Sequence, residues 1–493
     1  MGKIKKIVII GGGPAGLAAA YELSKDKRYQ VTVIEKDSQV GGISKTVNFN
    51  GNCIDLGGHR FFSKSSVVND FWCYFLPLQN EQSNNNANSD DVMLVRNRIS
   101  RIFAFGKFFS YPITIEPITF INLGLGRTLR SAVSYFLAMF YRKKCNTLED
   151  FYIKRFGKTL YRLFFEKYTE KVWGKHPRYI SPSWGDQRIK SLSIMKVCSE
   201  ALRKIFNKRY KTDTTSLIDT FWYPKYGLGQ LYEKIAAEVI KNGGEVILNS
   251  RVASITLDDT QESIKDITYK NNGGEITKIE CDALFSSMPI SELISLLPAS
   301  KEITEISNNL PYRDFIIVGV LLKKDPSKSK IAAFPDNWIY VQDDTLSLGR
   351  IQIFSNWSPY LLRDPEHTTL VGLEYFCSEG DALWSMNDKD FIQYAIKELV
   401  KLDFIDETQV LDTTMIRVEK AYPAYFGVYE YFGDIKDYLN TISNLYCIGR
   451  NGQHKYNNMD DSILTALEGV KLLKLGSSDK TSLWEEQVKE SLN

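Results

Sequence analysis

Three glycines spaced as Gly11-x-Gly13-x-x-Gly16 follow the apolar run KIVII and open the alanine-rich stretch PAGLAAAYELSK. The next apolar run, YQVTVIEK, brings Glu35 about twenty residues beyond them. This pattern suits a dinucleotide pyrophosphate. Gly11 permits the tight turn, Gly13 lets phosphates approach the backbone, and Gly16 lets helix pack on strand. A helix opening at Pro14 would turn the amides around Ala15 and Gly16, and the positive end of its dipole, toward the phosphates. Glu35, followed by Lys36, would accept hydrogen bonds from a ribose hydroxyl. A lone glycine triplet means little, but strand, glycines, helix, second strand and acid stand here in register.

Two more glycine pairs follow, Gly41–Gly42 in VGGISKT and Gly57–Gly58 in IDLGGHRFF. Their order is similar to that in flavoproteins of the glutathione-reductase-like group. There a second pair passes the ribityl and pyrophosphate, and a third reaches the isoalloxazine. FAD is therefore the expected cofactor, with Gly42, Ile43 and Ser44 beside it and His59 against the flavin ring rather than in a purely structural role. The same likeness implies that a later strand covers the adenine, through Val252, and that the chain's last segment returns to the first domain. GRNGQHKYNNMDDS lies between the apolar run NLYCIG and the helical run ILTALEGVKLL. Gly449, Arg450, Asn457, Met459, Asp460 and Ser462 are its cofactor candidates, since amides at a helix start stabilise negative charge on a reduced flavin.

The elements that must position these residues read as an α/β protein with five segments. Residues 1–98, 216–295 and 441–493 form a Rossmann-type FAD-binding domain of the glutathione-reductase-like kind. Residues 99–215 form a mainly helical substrate domain. Residues 296–440, with FIIVGVLLK, NWIYVQD, GRIQIFSN and TLVGLEYF, form an antiparallel sheet domain. In the helical segment LEDFYIKRFGKTLYRLFFEKYTEKVWG spaces its aromatics as core packing does, and SAVSYFLAMFYRKK reads as a core or substrate-domain helix rather than a membrane-surface element. SPSWGDQRIKSLS breaks the helical pattern and presents Arg188 on a loop.

Several stretches together resemble UDP-galactopyranose mutases, within the wider amine-oxidase and protoporphyrinogen-oxidase-like flavoprotein group. They are GGHRFFSK, YTEKVWG, GRIQIFSNWSPY, the AYP of 421–423 and GRNGQHKYNNMDDS, and the likeness runs to about residue 470. It implies pyranose–furanose ring contraction of a nucleotide sugar through an adduct at flavin N5, so that the cofactor is the nucleophile. Arg350 and Arg188 then grip the diphosphate with Tyr422 and Tyr456, His59 faces the flavin, and Trp338, Tyr340 and Asn356 line the pocket. Guanidinium forks match phosphate oxygens bidentately. Arg101 stands where the long members carry an aromatic for uracil, although a guanidinium also stacks on a base. Arg60 replaces a usually apolar residue, and 80–91 is a polar insertion that reads as a disordered loop.

The alternative is a FAD-dependent oxidoreductase of the amine oxidase or protoporphyrinogen oxidase type; a flavin-binding subunit without turnover is a third reading. With 62 Lys+Arg against 59 Asp+Glu the net charge is +3, too balanced to argue for nucleic acid. Seven cysteines without CxxC spacing favour reduced thiols in the cytoplasm and no metal site. No run approaches the roughly 18 apolar residues of a membrane span. The expected partner is a small-molecule nucleotide sugar. NADPH is compatible as reductant, and homo-oligomer formation is left open.

Overall fold

The computed structural model describes residues 4–79, 90–113, 116–141, 144–182 and 220–485. They gather into two compact units. The first comprises Met1–Val95, Trp222–Tyr312 and Lys420–Asn493; the second comprises Arg96–Phe221 and Arg313–Glu419. The sequence reading expects boundaries at 98, 215, 295 and 440.

In the first unit the run KKIVII forms the strand Lys5–Ile10, whose last four residues are buried. It lies between the strands Tyr29–Ile34 and Ala283–Ser286, parallel to both. Leu445–Cys447 and Glu245–Ile247 complete a five-stranded sheet at its two edges, also parallel. The helix Pro14–Ser24 buries a face of small residues and packs tightly for a steric reason. A Cβ on Gly16 would come within 1.9 Å of the Gly11 carbonyl oxygen, so only glycine permits this approach. The strand expected to end near Val252 is in fact two. Asn249, at φ 52, breaks it. Val252 belongs to the following strand, Ser250–Leu257, in a separate three-stranded antiparallel sheet.

The polar C-terminal junction is partly a structural plug. The Gln453 amide donates to the carbonyls of Cys447 at 3.2 Å and Leu483 at 2.5 Å. His454 is fully buried, edge-on to Tyr312 at 4.6 Å. Its Nε2 lies 3.2 Å from the Ala424 carbonyl, which can only accept, so Nε2 carries the proton. Burial pushes this imidazole down to about 4.

In the second unit the strands expected from FIIVGVLLK, NWIYVQD, GRIQIFSN and TLVGLEYF pair antiparallel. The sheet is mixed, however, and larger than its sequence signal. Trp338–Val341 runs parallel to Ser100–Ala104, which turns back through Phe105 and Gly106 into Lys107–Ser110. Both turn residues have positive φ, the geometry of a two-residue hairpin. The segment expected to be helical thus begins with two strands. Phe354 of IFSN starts a short helix, Phe354–Trp357, rather than extending the strand Arg350–Ile353. The helix Asp388–Lys401 covers the sheet through Phe391, Ala395 and Leu399.

The helical region packs as the aromatic spacing predicts. The helix Leu148–Leu160, a π-helical turn at Tyr161–Glu166 and the helix Lys167–Trp173 follow one another. Phe165 stacks on Tyr152 and on Phe156, at 4.8 Å from each. Of SAVSYFLAMFYRKK, Ser131–Ala138 is helical, as the end of the helix Leu125–Ala138, but the stretch is not core: Val133, Phe136, Leu137 and Phe140 are exposed. This helix presses its small residues on Gly157, where a Cβ would stand 2.8 Å from the Ser134 carbonyl.

Two consequences are measurable. Gly157→Ala places a side chain both in that contact and at φ +78, so it should cost about 2 kcal/mol or more in denaturant unfolding. An unchanged midpoint would contradict the packing. His454, with its ordinary value at 6.5 and a native value of about 4, binds fewer protons folded than unfolded between those limits. Stability should therefore fall by about 3 kcal/mol as pH drops through that window. His454→Gln should flatten this loss in melting curves taken from pH 7 to 4; a profile parallel to the parent would contradict it.

Candidate functional site

In the first unit the N-terminal glycines, the second strand and the second glycine pair meet as the spacing predicts. Glu35 is buried, and its carboxylate accepts from the Gly12 amide at 2.6 Å and the Asp37 amide at 2.9 Å. Burial raises its pKa, and the two amide bonds oppose that shift. The acid thus pins the glycine turn to the strand end, while Lys36 beside it is exposed. Gly41 donates to the Gly12 carbonyl at 2.8 Å, carrying Gly42, Ile43 and Ser44 past the first loop in a short 3-10 turn.

Gly13 caps the helix Pro14–Ser24 with no side-chain hydrogen bond to its first amides. A Cβ on Gly13 would meet nothing nearer than the Gly42 Cα, at 3.8 Å. The backbone therefore leaves space in front of a helix N-terminus of unpaired donors, which is what a pyrophosphate requires.

The third glycine pair is held by a residue that sequence reasoning missed. Asp55 is fully buried; it accepts from the Thr46 hydroxyl at 2.5 Å, from the Tyr223 hydroxyl, and from the Leu228 amide at 3.2 Å. Burial pushes its carboxyl up to about 6. It ties the hairpin Thr46–Phe49 and Asn52–Asp55 to the loop before the helix Gly229–Lys241, and so fixes Gly57, Gly58 and the half-buried His59. The acid just ahead of the glycine pair in IDLGG was its only signal.

At the C-terminal junction Gly449 donates to the Thr465 hydroxyl at 2.9 Å. Arg450 donates through Nε to the Asn457 carbonyl and through Nη1 to the Ala421 carbonyl, both at 2.8 Å. Its guanidinium lies 4.8 Å from the Tyr456 ring centre and 5.7 Å from that of Tyr422. The two phenol rings stack at 5.5 Å, 16° apart. Four nominated residues, Arg450, Tyr422, Tyr456 and Asn457, thus form one cluster. Met459, Asp460 and Ser462 occupy the first turns of the helix Met459–Leu475, which Asn458 and Asp461 close with a capping box.

The second unit carries its own polar cluster. Arg350 donates through Nε to Glu374 at 2.8 Å and also through Nη2. Glu374 is 0% exposed and takes the Gln352 amide on its other oxygen at 2.8 Å. Tyr340, on the neighbouring strand, packs against Tyr111 at 4.5 Å and Tyr168 at 5.9 Å. Burial raises the Tyr168 hydroxyl well above its ordinary value, and the charge of Arg350 counters that rise. Lys171, one turn on in YTEKVWG, donates to the carbonyls of Val341, Asp343 and Leu348 at 3.0–3.3 Å and braces the approach to Arg350. Burial lowers it to about 8. Glu374, Gln352, Tyr111, Tyr168 and Lys171 escaped the sequence reading; an acid amid the apolar residues of TLVGLEYF was the one available sign.

Other nominated residues have structural engagements. Arg101 is held by both oxygens of the buried Asp336, at 2.8 and 2.5 Å, and its guanidinium lies 3.9 Å from the Phe108 ring centre. One stacking face is thus taken by the protein itself. The Asn356 amide donates to the carbonyls of Phe334 at 2.8 Å and Asp336 at 2.7 Å. Trp338 is buried against Trp357 at 5.6 Å. Arg188 and residues 80–89 of the polar insertion lie outside the described residues. Glu149, Glu166 and His176 gather within 4.8 Å; His176 Nε2 stands 3.2 Å from Glu166, and Arg178 stands 3.8 Å from Glu149.

A family model for flavin containing amine oxidoreductases matches residues 14–467. A stretch of 163 residues is 29% identical to coproporphyrinogen III oxidase of Bacillus subtilis (strain 168), covering 31% of this chain and 33% of that protein. The chain thus matches only that third of its curated relative's length. Reduced UDP-galactopyranose mutase has the same fold at a TM-score of 0.78, over 98% of this chain and 97% of that one, with 22% identity. A protoporphyrinogen oxidase-like protein from Exiguobacterium sp. 255-15 follows at 0.70, over 96% and 99%, with 16% identity. The resemblance met in the sequence holds at the level of fold. With a family match over most of its length, the chain belongs to the flavin containing amine oxidoreductase family, which implies FAD as cofactor.

Proposed function

We propose that the protein is a FAD-dependent isomerase of a nucleoside-diphosphate sugar. It would contract a pyranose to a furanose, as UDP-galactopyranose mutase does, for polysaccharide assembly in the cytoplasm. The observation that carries this reading is Arg350, a guanidinium whose plane is fixed by the fully buried Glu374 in a setting of tyrosines. An oxidase needs an apolar or aromatic cage beside its flavin. A mutase needs cations and hydroxyls to receive a departing diphosphate, and a fork held in one plane suits that task.

In this reading the parallel-sheet unit is of the glutathione-reductase-like kind. Gly11, Gly13, Gly42, the start of the helix Pro14–Ser24 and Glu35 hold the FAD, with Val252 at the adenine and NADPH as reductant. Reduced FAD supplies a nucleophilic ring nitrogen, so the polypeptide needs no serine or cysteine nucleophile. Tyr422 and Tyr456 present hydroxyls to the diphosphate, and Arg450 keeps their rings parallel. Because Glu374 neutralises Arg350, a diphosphate meets a pair of zero net charge, and a second cation is required; Arg188 takes that part. The described cysteines are free thiols, which fits a reducing compartment.

A second reading is a FAD-dependent oxidoreductase. The sequence likeness to coproporphyrinogen III oxidase favours it, as does the neutralisation of Arg350. Product separates the two. Dithionite-reduced protein given UDP-galactopyranose should form the furanose by chromatography of the nucleotide sugars. Peroxide formed in air from a porphyrinogen or an amine, without ring contraction, would put the oxidoreductase first. Arg350→Ala would strand Glu374 as a buried unpaired charge at a cost of about 3–5 kcal/mol, so it confounds binding with folding. Arg350→Lys keeps the charge and loses the fork. It should weaken UDP binding by about tenfold or more, as expected for a charge-assisted hydrogen bond. Unchanged UDP affinity in this variant would contradict the role given to Arg350.

A further inference from the structure

The helix Leu125–Ala138 in the second unit is inside out. Its apolar stripe, Leu125, Leu129, Val133, Phe136, Leu137 and Phe140, recurs at the helical spacing that normally faces a core, yet these side chains are 57–76% exposed. The buried positions are instead small or polar. Ser131 and Ala138 face inward, and the Ser134 hydroxyl accepts from the Thr159 amide at 3.0 Å. The preceding helix, Pro117–Leu123, adds Ile118 and Ile121, 52% and 66% exposed. Between Leu125–Ala138 and the helix that follows lies a crevice of about 610 Å³, lined by Leu129, Val133, Leu137 and Ile153 with Arg130, Lys158 and Arg162.

The sequence through this face is predominantly basic, with Glu116 just ahead of its first helix. From Pro117 to Lys144 the sequence carries Arg127, Arg130, Arg142, Lys143 and Lys144 and no acidic residue. Exposed apolar side chains in a stripe, with guanidinium and ammonium groups along it, are the two requirements for lying in the headgroup region of an anionic bilayer. A second copy packed on the same face about a two-fold axis would set these cations against themselves. Residues 183–219 of the chain carry eight basic against four acidic residues, so they too match the face in sign rather than complement it.

We propose that the face formed by Pro117–Leu123 and Leu125–Ala138 docks the protein on an anionic phospholipid bilayer as a peripheral, non-spanning attachment. The apolar stripe enters the acyl boundary, and Arg127, Arg130, Lys158 and Arg162 meet lipid phosphates. This attachment is independent of the reaction the flavin site performs.

The test uses the full-length holoprotein sedimented with sucrose-loaded vesicles. Vesicles of phosphatidylcholine with about a third phosphatidylglycerol should bind at least about tenfold more protein than pure phosphatidylcholine, and high salt should reverse most of that gain. The double variant Leu129→Glu/Phe136→Glu alters only exposed positions and should abolish the binding. Leu411→Glu, at an exposed leucine elsewhere, should leave it intact. Absence of binding to both vesicles, or binding unaffected by the double variant, would overturn the proposal. So would concentration-dependent self-association that the same double variant removes, which would assign the face to a second copy.

Discussion

The first unit depends on backbone approaching backbone more closely than any side chain permits. Gly16 lies on the Gly11 carbonyl, and a Cβ on Gly452 would stand 2.4 Å from the carbonyl oxygen of Ser286. The two contacts are 436 residues apart in sequence, and both press on the same parallel sheet, one through its central strand and one through its neighbour. Such close backbone packing holds the first and last segments against one sheet. It brings the glycine turn of the first segment and the junction of the last onto adjacent strands of that sheet.

The polar chemistry of both units is organised by buried carboxylates. Glu35 holds the glycine turn, Asp55 the third glycine pair, Asp336 the Arg101 fork and Glu374 the Arg350 fork. A buried carboxylate is costly unless each oxygen finds donors, and here the donors are the groups that must be positioned. The same economy explains Lys171, whose ammonium is surrounded by three carbonyls of one loop.

Much of the fold was legible where a motif imposes a steric demand. The glycines, the acidic strand end and the return of the last strand and helix could be read because each residue type has one geometric reason. What escaped lacked such a reason. The strands at Ser100–Ala104 and Lys107–Ser110 are only five and four residues long, too short for periodicity to speak. The break before Val252 rests on one asparagine in left-handed backbone. Glu374 was hidden because an acid in an apolar strand tells nothing of its partner until the register sets it opposite Arg350. The helix Leu125–Ala138 shows the limit most plainly: its spacing reveals which face is apolar, and only the fold reveals that this face meets solvent.

Gly13 offers the most direct measurement of the shared cradle. A Cβ there meets no protein atom closer than 3.8 Å, so a small side chain has room to enter the proposed ligand space. The purified parent should bind one FAD per chain with a flavin absorbance band. Gly13→Val should keep the circular dichroism and apo-protein unfolding midpoint of the parent while losing the FAD. A parent that takes up no FAD, or a variant that retains it at parental occupancy, would contradict the claim that this space holds the cofactor.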